Sequence, residues 1–175
     1  PAGARKRRKK TRVAWHESKL GVFYRHEQVV GQKRGQLLEK VLISWQGEGL
    51  ELGQRLHWEA LRGGWGRARA VLAVADGVPW IWNVVGDRWP GAHQMLDFYH
   101  ASQHLWTVGQ ALHPQEETTR RAWVQERLHR LRHGKEREVL AEMAALPRLR
   151  GPRGQVLRRE QNNSAGQARR MNYQK

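Results

Sequence analysis

The amino-acid sequence predicts an α/β fold: a mixed sheet flanked by helices, with an all-helical stretch and basic ends attached to it. Three observations carry this expectation. Strand-like and helix-like segments alternate from Val13 to Leu112, the order that layered α/β architectures produce. Beyond Pro114 the composition turns to Arg-, Glu-, Leu- and Ala-rich helix. The excess positive charge sits at the two ends, not along the middle.

Val13 to Arg25 reads as a strand, with Val13, Trp15, Leu20, Val22 and Phe23 among polar neighbours. Leu37 to Trp45 is a second, built on Val41-Leu42-Ile43 and ended by Gly47 and Gly49. Leu50 to Trp65 has helical spacing in Leu52, Leu56, Leu61 and Trp65, weakened at its end by Gly63-Gly64. Ala70 to Ala75 is an uninterrupted apolar run ending in Asp76-Gly77. Such a run predicts a strand buried on both faces, central in its sheet. Val78 to Trp89 reads as a helix with Pro79 in its first turn, where the missing N–H costs little. After Pro90-Gly91, His93 to Tyr99 predicts a short strand and Ala101 to Leu112 a helix. Glu116 to Ala145, broken near Gly134, predicts a helix pair. After Pro147 the composition is rich in Arg, Gly, Asn and Gln, and weak structure is expected. The expected organisation is therefore a basic disordered arm over 1–12, a core over 13–113, a helical insertion over 114–147 and a weakly structured basic tail over 148–175.

Composition narrows the function classes. A chain of 175 residues with 39% hydrophobic content can bury one real core. The absence of cysteine excludes disulfides and thiolate zinc sites. The basic start is not followed by an apolar stretch, and no run is long enough to span a bilayer, so the expected address is the cytoplasm. Opening on Pro1 suggests a processed chain or a fragment. Of the net charge of +16, residues 1–12 supply seven cations and no acid, and residues 148–175 supply eight cations against Glu160 alone. Basic ends around a near-neutral middle suggest a polyanionic partner, since each phosphate contact releases counterions. Arg5, Lys6, Arg7, Arg8, Lys9 and Lys10 at the front, and Arg169 and Arg170 at the back, are the candidate nucleic-acid contacts. Solvated ends with no specific partner are the less favoured alternative.

The chain has three aspartates, Asp76, Asp87 and Asp97. Asp76 and Asp97 fall at or near the ends of predicted strands, where functional groups gather in open α/β sheets. Each has an ordinary alternative. Asp76-Gly77 is also a turn, and either aspartate could cap the helix that follows it. Asp87 reads as surface. His100 and His104 lie one helical turn apart, a zinc-ligand spacing, but no acidic or cysteine partner is near them in sequence. Trp80, Trp82, Trp89 and Trp106 cluster around the aspartates. Most are expected to pack, although an aromatic ring there could stack on a base.

Taken together, Ala75-Asp76-Gly77-Val78-Pro79-Trp80-Ile81-Trp82-Asn83, Trp89-Pro90-Gly91-Ala92, Leu96-Asp97-Phe98-Tyr99-His100-Ala101 and His104-Leu105-Trp106 closely resemble the ISKra-type insertion-sequence transposases of the DDE class. Trp15 to Val22 and Gln167 to Tyr173 resemble further segments of that family. The resemblance implies an RNase H-like core with three catalytic carboxylates and two magnesium (or manganese) ions. It places Asp76 at the second catalytic aspartate and Asp97 and His100 in an accessory DxxH element, with Asp76 and Asp97 as the metal-ligand candidates. It implies DNA partners, both element ends and target, a possible homo-oligomer and a place at the bacterial nucleoid. It also implies that the first and third carboxylates lie outside these residues, so the chain is expected to be truncated at both ends and inactive alone. The alternatives are a non-catalytic basic nucleic-acid-binding protein and a domesticated transposase remnant.

Overall fold

The computed structural model describes residues 16–27 and 35–173. The candidate cations from Arg5 to Lys10 lie outside them. The protein is mixed α/β, with 58% helix and 18% strand in small sheets, so helix dominates more than the alternating pattern suggested. The chain divides into two compact units after Gly63.

In the first unit, β1 (Lys19–Glu27) and β2 (Gln36–Trp45) form an antiparallel pair with a register shift between Phe23 and Arg25. Alternation puts Phe23, Val41 and Ile43 on the more covered face and leaves Leu20, Val22 and Leu42 exposed. Helix α1 (Gly49–Arg62) buries Leu52, Gly53 and Ala60. A side chain at Gly21 would collide with Leu56, so glycine lets the helix approach the strand. Trp45 stacks under Arg55 at 3.8 Å and donates its indole N–H to Glu51 at 2.9 Å. Gly64, the first residue of the second unit, takes φ 76°, a left-handed stop that residues with a Cβ disfavour.

In the second unit, β3 (Leu72–Ala75) and β4 (His93–Leu96) pair in parallel, with α2 (Pro79–Arg88) as the crossover between them. The expected fully buried β3 is not observed. Leu72 is 58% and Val74 47% exposed, because in the described residues β3 has only β4 beside it and turns only Ala75 toward the core. The segment after β4 also differs from expectation. Phe98 and Tyr99 are not strand but open α3 (Phe98–Leu112), since the Asp97 side chain accepts from the His100 N–H and starts the helix early.

Helix α3 is the centre of the core. Ala101, Leu105, Val108 and Ala111 are buried, with Val124, Leu128 and Leu131 of α4 (Glu117–Arg132), Val139 and Met143 of α5 (Glu136–Ala144), and Leu157 of α6 (Gly151–Gln167) in the same cluster. Gly109 allows α4 close: a Cβ there would sit 2.9 Å from Val124. Arg130 grips Glu142 through both guanidinium nitrogens, at 2.5 and 2.9 Å, and Arg127 reaches the same carboxylate at 2.7 Å. The helix pair expected over 114–147 is present, but it shares its core with α3 and does not form a separate body.

The expectation of weak structure over 148–175 is wrong for its described part. Residues 151–167 form a helix, and Gly154, Leu157 and Glu160 are buried along it at three-residue spacing. A composition average hides so sparse an apolar stripe. Pro152 lies in the first turn, where it costs no hydrogen bond, and Met171 is buried beyond the helix end.

Candidate functional site at the strand ends

The parallel register Val74↔Met95 and Ala75↔Leu96 puts Asp76 and Asp97 one residue past the paired ends of neighbouring strands. The Asp97 N–H donates to the Ala75 carbonyl at 2.7 Å, continuing the ladder to the second of the two aspartates. Both aspartates therefore lie at the carboxyl end of the same sheet, as their sequence positions suggested. Each is half-buried, and each has a local task. Asp76 Oδ1 accepts from the Val78 N–H at 3.1 Å and closes the turn into α2. Asp97 Oδ2 accepts from the His100 N–H at 3.0 Å as the cap of α3. The second oxygen of each carboxylate is not used in these bonds. Asp87 is on the exposed side of α2 and pairs with Arg88.

Helical spacing stacks His100 and His104 one turn apart, and their Nε2 atoms are 2.9 Å from each other. The far side of His104 holds a residue that sequence spacing did not connect to it. Glu160 of α6 accepts from His104 Nδ1 at 2.5 Å. Glu160 is only 2% exposed. Burial alone would raise its pKa, but hydrogen bonds from His104 and Arg159, together with their charges, outweigh burial and hold the carboxyl below its ordinary value. A carboxylate can only accept, so His104 Nδ1 carries the hydrogen of that bond, and one further hydrogen lies between the Nε2 atoms of His104 and His100. Glu160, His104 and His100 thus form one hydrogen-bonded chain that ends beside the Asp76-Gly77 turn. A side chain at Gly77 would lie 3.2 Å from His100 Nε2 and from Gln167 Nε2, so the turn is packed directly against both.

The end of α6 closes the site from another side. Gln167 Nε2 donates to the Gly77 carbonyl at 2.9 Å. Arg170 donates to Gln94 of β4 at 2.8 Å and to Gln167 at 3.1 Å, and its guanidinium lies 4.5 Å over the Trp82 ring. Arg170, expected as a nucleic-acid contact, therefore has Nε and Nη1 bonded inside the fold, while Arg169 faces outward. Tyr173 stands edge-on to Phe98 at 5.2 Å. Burial, and then the nearby Asp97 charge, push its phenol pKa well above the usual value. Of the four tryptophans near the aspartates, Trp82 is buried in the core, while Trp106 is 37% exposed.

Asp76 and Asp97 offer hard oxygen donors of the kind magnesium takes, with water completing its shell. Among the described residues no group of three or more His, Asp or Glu side chains is arranged to hold a metal ion. All the acids and histidines of the chain fall within those residues. Asp76 and Asp97 are thus the two carboxylates that the strand ends supply. The two histidines at zinc-ligand spacing have their Nε2 atoms turned to each other. Glu160, Gln167 and Tyr173 were the residues missed from the sequence. The one signal for Glu160 was its position as the single acid among the eight cations of residues 148–175. No helix of the described residues is long and apolar enough to cross a membrane. No family model, no curated protein and no solved structure matches this chain.

Proposed function

We propose that this chain carries part of the strand-processing site of a DDE-class transposase with an RNase H-like core, acting on DNA at the nucleoid of a bacterial cytoplasm. One observation carries the reading. Three stretches that resemble the ISKra-type family, Asp76-Gly77, Asp97 to His104 and Gln167 to Tyr173, are far apart in sequence yet meet around one sheet end. In this reading Asp76 and Asp97 each offer their remaining carboxylate oxygen to a divalent ion. A bound pair of such ions would supply the positive charge that an in-line phosphodiester displacement needs. His100 is held by the Asp97 cap and by the His104–Glu160 chain, and Gln167 fixes the turn that presents Asp76.

Two carboxylates cannot hold two mutually repelling divalent ions as three can. The 175-residue chain is therefore expected to bind manganese weakly and to leave DNA uncut. Manganese binding followed by water-proton relaxation tests the first part, with Asp76→Ala abolishing it. A strand-cleavage assay with magnesium or manganese tests the second. Cutting that is lost in Asp76→Ala would mean that the complete ligand set lies within these residues. The bonds of Asp76 and Asp97 to Val78 and His100 are also those of a simple turn and a simple cap. They favour a second reading, a non-catalytic nucleic-acid-binding protein or domesticated remnant. Manganese binding unchanged by Asp76→Ala and Asp97→Ala would select it.

A further inference from the structure

Helix α6 separates its charges by face. Gly154, Leu157 and Glu160 are buried on one side, and Glu160 is the helix's only acid. On the other side Gln155, Arg158, Asn162, Ala165 and Gly166 are exposed, and Arg169 continues the same line beyond the helix end. Arg158, Asn162, Ala165 and Arg169 follow one another at four, three and four residues, so they form one straight stripe. Arg148, Arg150 and Arg153 extend the exposed positive charge around the helix start. None of these arginine side chains has a hydrogen bond or ion pair among the described residues, unlike Arg159, which pairs with Glu160, and Arg170, which bonds Gln94. Turning Glu160 inward, where His104 takes it up, leaves the outer face of α6 without an acid.

We infer that the outer face of α6 is a platform for the phosphate backbone of duplex DNA, leading toward the strand-end aspartates. The inference deepens the function proposed above by naming where the substrate lies, and it rests on that reading for the choice of DNA. The chemistry of the face selects a polyanion. It exposes arginines, amide side chains and small residues but no large apolar group, so it lacks the anchor that a protein interface needs. It also lacks the apolar side that a membrane-surface helix inserts. Ala165 and Gly166 let a backbone come close between Arg158 and Arg169. Those two arginines are separated by roughly 16 Å of rise, about five nucleotide steps along a duplex. The far end of α6 touches the Asp76-Gly77 turn through Gln167, so DNA along this face runs past the candidate site.

The test is the salt dependence of binding of the full chain to a labelled duplex without divalent metal. Arg158→Gln with Arg169→Gln should flatten the slope of log affinity against log salt by about 1.8, at about 0.9 for each phosphate that is no longer neutralised. Arg158→Lys with Arg169→Lys should keep the slope, which also guards against a folding defect. Arg121→Gln with Arg137→Gln, exposed on α4 and α5, removes the same net charge elsewhere and should leave the slope nearly unchanged. Equal slopes for the α6 and the α4/α5 variants would overturn the platform. So would polyglutamate of matched charge displacing the duplex as well as unlabelled duplex does, or single-stranded RNA showing the same loss as duplex. No cleavage is read here, so the platform fails on slopes and competition while the transposase reading fails separately on manganese binding at Asp76.

Discussion

Glu160 shows how one side chain can join distant parts of the chain. Its carboxylate is buried between His104 and Arg159, and an unpaired charge there would be costly. Glu160→Ala removes the acceptor from His104 and is expected to cost about 3 kcal/mol of stability in urea denaturation. Glu160→Gln keeps one acceptor and should cost less. The direction of the pKa shift also sets the pH dependence. Glu160 and Glu142 are both held below the ordinary value of 4.5, Glu142 chiefly by its hydrogen bond from Arg130. A carboxyl with a lowered folded pKa stabilises the fold above its unfolded pKa and loses that contribution as pH falls through the folded one. Stability measured along a pH series should therefore fall on acidification below 4.5, and it should fall less steeply in Glu160→Gln. An identical fall in that variant would mean the buried pair does not contribute to the acid limb.

At the scale of elements, α6 is decided by a few inward positions. Gly154 is the sharpest. A Cβ there would collide with the Leu149 carbonyl, part of the backbone that leads into the helix. Replacing glycine by alanine inside a helix normally gains about 1 kcal/mol. Here the sign should reverse, with Gly154→Ala lowering stability by about 2 kcal/mol because backbone cannot move aside as a side-chain tip can. Thermal unfolding followed by helical circular dichroism reads the sign. The strands show the opposite balance. The apolar run of β3 was legible in sequence, but its exposure was not: an apolar strand states that it can be covered, not how many neighbours it has. Asp97 ended β4 earlier than expected because capping a helix satisfies an amide that a longer strand would not.

For the whole molecule, the second unit depends on residues that look dispensable in composition. Leu157 is 1% and Met171 5% exposed, both in the cluster around α3. Leu157→Ala should cost about 3 kcal/mol. A chain ending at residue 147 should lose the cooperative unfolding transition of this unit, because Leu157, Glu160 and Met171 together close the core over Leu105 and His104. A weakly structured tail would instead leave that transition intact.

What the sequence determined by itself was local or strictly periodic. The α/β class, the helix pair after Pro114 and the positions of Asp76 and Asp97 at strand ends all follow from hydrophobic spacing and from turn and cap chemistry, which act over a few residues. Which residues meet across long separations is set by the packing of helices and strands. The 56-residue span from His104 to Glu160 and the 90-residue span from Gly77 to Gln167 have no spacing rule that could announce them. Whether Arg170 faces solvent or Trp82, and whether Glu160 offsets the charge of a tail or occupies the core, depends on how helices pack. Packing is set by the summed fit of many weak contacts, so neither answer can be read from the neighbours of Arg170 or Glu160 along the chain.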